Sequence, residues 1–492
     1  MKNGFDNAKY LRIQSEHIKE RIHQFEGKLY MEFGGKMVDD YHAARVLPGF
    51  EPDSKLQMLM ELKDMAEIII VISALDIDKN KIRSDYGITY DEEVLRLRDE
   101  FMGRGLHVGG VVITHFNGQQ SSILYRQRLE KMGIAVYYLY NIEGYPHNVP
   151  LIDSDDGFGK NEYVKTTRPL VVVTAPGPGS GKMVTCLSQL YNENKRGIKA
   201  GYAKFETFPV WNLPLKHPVN MAYEAATADM DDVNMIDPFH LEAYGKIAVN
   251  YNRDIEAFPV LNAIFEGIYG ESPYKSPTDM GVNMVGNCIS DDLVCCEASR
   301  QEVIRRYFTA MGNMASGKCN ESEVNKISML MRRMGITPEY RKVVLACRDK
   351  QEATGEQAAA IELPDGMILT AKSIPLLGAS ASLLLNATKF LAGISKDTKL
   401  IPSHMIEPIQ RTKVNALGGH NPRLHTDEVL IALSMLSVTD PNCKAALEQL
   451  PKLRGSQVHT SCMLAEVDRK TFKKLGIDLS CEPVHKKKKY TI

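Results

Sequence analysis

The chain has 492 residues, with 60 basic and 61 acidic side chains and a formal net charge of −1. That length implies two to four domains at roughly 100–200 residues each, and the balanced charge gives no electrostatic footprint for nucleic acid or an anionic membrane. Nine cysteines without a C-x-x-C pair read as reduced thiols, and no apolar run is long enough to cross a bilayer. The expectation is a cytosolic, multidomain protein that contacts neither nucleic acid nor membrane and forms a homo-oligomer.

Between residues 5 and 25, Leu11, Ile13, Ile18 and Ile22 recur at amphipathic-helix spacing. KLYMEFGGKMVDDY alternates on either side of Gly34 and Gly35 and predicts a hairpin. Strand-like and helix-like runs then alternate: EIIIVISAL, DEEVLRLRDEFMGRG, HVGGVVITH, QQSSILYRQRLEKMG, IAVYYLY, RPLVVVTA and GIKAGYAKFE. This is the rhythm of a mostly parallel sheet with helical crossovers. Near Asp291 the pattern becomes helical, with Val294, Ala298, Ile304, Phe308 and Met311 on one stripe and Val324, Ile327, Met331 and Met334 on the next. Thr337 and Pro338 predict a helix start. A hairpin around Pro364, Asp365 and Gly366 follows, then further helices and the strand-like SQVHTSCML. The predicted fold class is α/β, divided into an N-terminal domain (1–290), a helical subdomain (291–355), a C-terminal α/β subdomain (356–480) and a basic tail (481–492).

The stretch TAPGPGSGKMVT lies between a predicted strand and a predicted helix. A full phosphate-binding loop needs G-x-x-x-x-G-K-[ST], whose amides surround the phosphates and whose hydroxyl holds magnesium. Here Pro176 stands where the first glycine belongs and Met183 where the hydroxyl belongs. Gly177, Gly179, Ser180, Gly181 and Lys182 remain candidate phosphate contacts, and the alternative is a plain glycine-rich turn. Magnesium, if used, needs Thr185, the ligand or carboxylates elsewhere. Downstream, either Asp237 or Asp254 is the candidate to organise that ion, Arg253 and Lys216 to neutralise developing charge, and His217 to transfer a proton. Zinc-protease, zinc-deaminase, serine-hydrolase and dinucleotide motifs are absent from the sequence. His420, His425, His459 and Cys462 lack metal-ligand spacing.

The segments FDNAKYLRIQSEHIKERI, EFGGKMVDDYHAARVLPGFEPDSK, TTRPLVVVTAPGPGSGKM, KFETFPVWNLPLKHPVN, NMIDPFHLEAYG and YKSPTDMGVNM closely resemble a bacterial family known as a domain of unknown function. The resemblance runs along nearly the whole chain. It implies an N-terminal α/β region, a helical insert and a C-terminal three-layer α/β subdomain with a topology similar to the cytidine deaminase fold, without conferring that chemistry. Some members carry the label ATP-dependent peptidase or zinc protease, which no motif here supports. The leading expectation is an enzyme acting on a nucleotide or phosphorylated metabolite, by phosphoryl transfer or phosphate-assisted ligation, with ATP and magnesium as candidate cofactors. The alternatives are a non-enzymatic metabolite-sensing oligomer and a peptidase.

Overall fold

The computed structural model describes residues 3–35, 37–38, 40–83 and 87–485. Lys486–Lys489, the basic part of the expected tail, lie outside the described residues. The contacts divide the chain into two compact units: an N-terminal unit of Asn3–Glu224 with Asp231–Cys296, and a C-terminal unit of Ala225–Met230 with the chain from Glu297 onward.

Apolar runs with no polar side must be covered on both faces, and the N-terminal sheet is built from such runs. Its strands are β1 (Leu29–Phe33), β2 (Ala66–Ser73), β3 (His107–Phe116), β4 (Val136–Tyr140), β5 (Leu170–Thr174), β6 (Gly201–Phe205) and β7 (Gly281–Val282). Every pairing is parallel, in the order β7-β6-β1-β5-β2-β3-β4. Register sets Glu32 beside Val173 on β5 and beside Lys204 on β6. Helices α1 (Asn7–Gln24), α2 (Tyr90–Gly103), α3 (Lys182–Lys195) and α4 (Asn252–Tyr269) belong to this unit. On one face Tyr30, Val71, Val171, Val173 and Tyr202 bury against Leu187 and Leu190 of α3 and Phe258, Leu261 and Phe265 of α4.

The hairpin expected around Gly34 and Gly35 does not form. Leu29–Phe33 is buried throughout and pairs in parallel on both sides, so its apparent alternation marks no solvent face. Gly34 donates its N–H to Phe205 O at 3.1 Å, and Asp40 caps a short helix, Tyr41–Val46. Lys36 and Asp39 of that stretch lie outside the described residues. The irregular segment after β6 carries Trp211, the only tryptophan, which donates Nε1–H to Asn283 O at 2.9 Å while its carbonyl accepts from Val249 N.

The long helix α5 (Asp292–Ala315) begins in the N-terminal unit and continues into the C-terminal one. There, α6 (Lys342–Thr354) and α7 (Ala379–Leu391) cover a four-stranded sheet of β8 (Ala358–Glu362), β9 (Ile368–Lys372), β10 (Gln457–Thr460) and β11 (Asp478–Cys481), in the order β9-β8-β10-β11. Only the β10–β11 pair is parallel. Strand alternation explains the layers: Ala358 and Ala360 face Val343 and Cys347 of α6, whereas Ala359 and Ile361 face Leu383 and Leu384 of α7. The result is three layers, helix, sheet, helix. Thr337 and Pro338 begin a single 3-10 turn (Pro338–Tyr340), and α6 starts only at Lys342.

Asp153 stands out among the described carboxylates because neither oxygen is paired. Both carboxylate oxygens are shielded from solvent without a hydrogen-bond partner, against the Cα of Gly267 on α4. Burial pushes its carboxyl up to about 7. The fold therefore holds a proton that the unfolded chain releases, so this group's contribution is full below about pH 4 and falls as pH rises toward about 7. Asp153→Asn should stabilise the protein by on the order of 2–3 kcal/mol near pH 8 and hardly at all near pH 4. Melting temperatures of both proteins across that range test it, and parallel curves would refute the assignment.

Candidate functional site

Ligands in open parallel sheets bind outside the carboxyl ends of the strands, where the strand order reverses. After β1 the chain proceeds toward β2, and after β5 it returns across β1 to β6, so adjacent β1 and β5 send their connections in opposite directions. The glycine loop is the segment that leaves β5 at this reversal.

Gly181 is the N-cap of α3 at φ +88°, and Gly179 has φ +73°, backbone that side chains rarely adopt. Gly177 is required for another reason, because a Cβ there would collide with the Tyr90 hydroxyl of α2. A Cβ at Gly181 would come within 2.8 Å of the Thr114 side chain on β3. Thr114 also donates its hydroxyl to Ser180 O at 2.7 Å, and Ser180 donates its own to Gly177 O at 3.0 Å. Thus the loop is pressed into shape by its neighbours. Among the described residues, nothing accepts from the backbone N–H groups of Gly179, Ser180, Gly181, Lys182, Met183 or Val184. Successive unbonded amides at the positive end of a 14-residue helix carry a partial positive charge.

Thr185, the hydroxyl nearest in sequence, is buried and donates to Gly181 O at 2.8 Å. Beside the loop, Glu32 has its Oε1 3.7 Å from Lys182 Nζ and its Oε2 accepting from Tyr202 Oη at 2.9 Å.

Beyond Glu32 the buried charge continues. Lys204 of β6 is paired with Asp254 at the start of α4, with Glu206 at 2.9 Å, and with the Tyr251 hydroxyl. Burial opposes the ammonium charge of Lys204, but Asp254, Glu206 and Glu32 outweigh it and raise its pKa. Burial pushes Glu206 up to about 7, with Lys204 opposing and Asp254 adding to the rise. A carboxyl that changes charge near neutrality is thus built into the strand edge.

On the other side of the loop stands His115, at the carboxyl end of β3 with φ +52°. A strained non-glycine backbone at a strand end is a functional signal. His115 Nδ1 lies 3.0 Å from the Thr114 hydroxyl oxygen and 3.3 Å from Ser73 Oγ. Burial lowers the pKa of the ring, against the pull of Asp76, and keeps it neutral near pH 7.

The other expected site residues separate from this loop in their bonding. Asp254 joins the Lys204 cluster. Asp237, a candidate to organise the ion, is fully buried: it accepts from Phe239 N and His240 N as a helix cap and from Thr278 N and Oγ1. Its oxygens are committed to structure. Arg253 forms a two-pronged pair with buried Asp232, at 2.5 and 2.9 Å, and Lys216 is exposed. His217 bonds to Asp292 and Cys296. In the C-terminal unit, His425 pairs with Asp468 at 2.9 Å and His459 lies between Ser480 and Glu482. Glu32, Lys204 and His115 were not singled out by the sequence.

The N-terminal domain of the family described as "Domain of unknown function DUF1846" matches residues 3–335, and its C-terminal domain matches residues 339–490. The chain belongs to the DUF1846 family. The boundary between the two DUF1846 matches falls at the 3-10 turn that precedes α6. A UPF0371 protein of Streptococcus sanguinis (strain SK36) is 57% identical over 484 residues, covering 98% of each chain. UPF0371 proteins of Streptococcus pyogenes serotype M5 (strain Manfredo) and Streptococcus thermophilus (strain ATCC BAA-491 / LMD-9) are each 55% identical, over 482 and 484 residues, again covering 98% of each chain. Their names state a family and no activity. No helix among the described residues is long and apolar enough to cross a membrane.

Gly177→Ala should destabilise the protein by about 1–3 kcal/mol, because the methyl group must displace Tyr90. The cost should shrink in a Tyr90→Ala background. Equal costs in the two backgrounds, measured by denaturant unfolding, would show that the contact does not shape the loop.

Proposed function

We propose that the carboxyl edge between β1 and β5 binds a phosphorylated small molecule, a nucleotide or a sugar phosphate, with its phosphate on the amides of Gly179–Val184 and on Lys182. The observation that carries this reading is the run of unbonded amides at the point where the strand order reverses. Lys182 is held near the loop by a loose 3.7 Å contact with Glu32, from which a phosphate would draw it away. Magnesium, where required, would arrive with the ligand, since Thr185 is committed to the backbone.

Turnover is favoured over simple sensing by Glu206, whose carboxyl is pushed up to about 7, and by the neutral His115 ring beside the loop. Phosphoryl transfer or phosphate-assisted ligation remains the reaction class that this chemistry fits. The peptidase reading has no group in this crevice to recommend it.

A thermal-shift screen with inorganic phosphate, nucleotides and sugar phosphates should find a stabilising ligand. Lys182→Ala should weaken it about 10- to 100-fold, the scale of one charge-assisted contact. Retention of full affinity for every such ligand would overturn the assignment. Sulfate, which keeps its charge in this range, should bind less well as pH rises through about 7 and Glu206 ionises, and Glu206→Gln should flatten that dependence. A slope unchanged in the variant would detach Glu206 from the site.

A further inference from the structure

A second constellation in the N-terminal unit shares no residue with the glycine loop. Asp292 and Cys296 stand four residues apart at the start of α5, so their side chains share a face. His217, immediately before the helix Pro218–Ala226, reaches the same spot. Its Nε2 lies 2.9 Å from Asp292 Oδ1 and 3.5 Å from Cys296 Sγ, and Sγ is 3.7 Å from Asp292 Oδ2. All three donor atoms fit within 4.8 Å of one another, the only such group of its kind among the described residues.

The size of this triangle is informative. Donors bound to zinc at about 2.0–2.3 Å in a tetrahedron stand about 3.3–3.6 Å apart, and the separations of 2.9, 3.5 and 3.7 Å here bring the three side chains close to one face of such a tetrahedron. One sulfur, one imidazole nitrogen and one carboxylate oxygen favour zinc-class ions over magnesium or calcium, which require oxygen donors. Cys296 is buried and the His217 side chain is 10% exposed, whereas the Asp292 side chain is 56% exposed and leaves an approach for solvent.

We propose that His217, Asp292 and Cys296 form a zinc-class divalent cation site whose fourth position takes water. In the metal-free arrangement Val219 N–H donates to His217 Nδ1 at 3.3 Å, so the ring hydrogen is on Nε2 and points to Asp292. On binding, that hydrogen moves to Nδ1, Val219 N–H gives up its 3.3 Å contact with that atom, and the Cys296 thiol gives its proton to solvent. One proton is released per ion. His217 is 75 positions from Asp292 and 79 from Cys296 in sequence, which is why no local zinc motif announces them.

Cobalt(II) titration of the chelator-treated, full-length protein tests this. One equivalent should bind with a thiolate-to-cobalt charge-transfer band, release of one proton, and a rise in melting temperature. Cys296→Ser should abolish the band, and His217→Gln and Asp292→Asn should each weaken binding at least about tenfold while retaining it. Cys295→Ser should leave the band intact. Circular dichroism of the uncomplexed variants controls for folding, and if Cys296→Ser does not fold, His217→Gln and Asp292→Asn decide. Absence of saturable one-to-one binding, a band that survives Cys296→Ser, or unchanged affinity in the other two variants would overturn the proposal. Because Lys182 is not involved, Lys182→Ala should bind cobalt as the wild type does, so failure of either reading is distinguishable from failure of the other.

Discussion

A parallel sheet covered on both faces can offer its chemistry only at its ends. Every strand of the N-terminal sheet runs the same way, so all carboxyl termini open on one edge, and the apolar faces are closed by helices. The reversal of chain direction between β1 and β5 then decides where along that edge two connections part. The glycine loop, the Glu32–Lys182 contact and the helix amides occupy that position as a consequence of topology.

The charged residues along this edge illustrate how burial is balanced. Lys182 and Lys204 face Glu32, Asp254 and Glu206, so two cations meet three carboxyls. Full ionisation leaves an excess negative charge in a poorly solvated region, and Glu206 is the group that gives way, its pKa raised by burial and by Asp254. Asp153 shows the same physics without any partner, because neither oxygen is compensated. The difference lies in access to counter-charges.

Much of the fold was legible because β2, β3, β5 and β6 are apolar runs separated by helix-period segments, and the three-layer C-terminal unit followed from the same alternation together with the family resemblance. The hairpin at Gly34 failed because alternation along one strand says nothing about its neighbours, and β1 pairs with strands more than a hundred residues away. The loop was found through glycine and lysine, residues whose spacing is local. Glu32, Lys204 and His115 were hidden because their significance comes from register, burial and backbone strain. Asp237 misled for the converse reason, since a carboxylate after a short strand reads equally as a metal ligand or a cap, and Thr278 decides between them from 41 residues away.

Trp211 gives the chain an internal reporter. It is the sole indole, and its hydrogen-bond partners, Asn283 and Val249, both belong to the N-terminal unit. Tryptophan emission therefore follows the opening of that unit alone, while far-ultraviolet dichroism sums the helices of both. Where the two signals diverge during denaturation, the divergence measures how independently the C-terminal unit holds its fold.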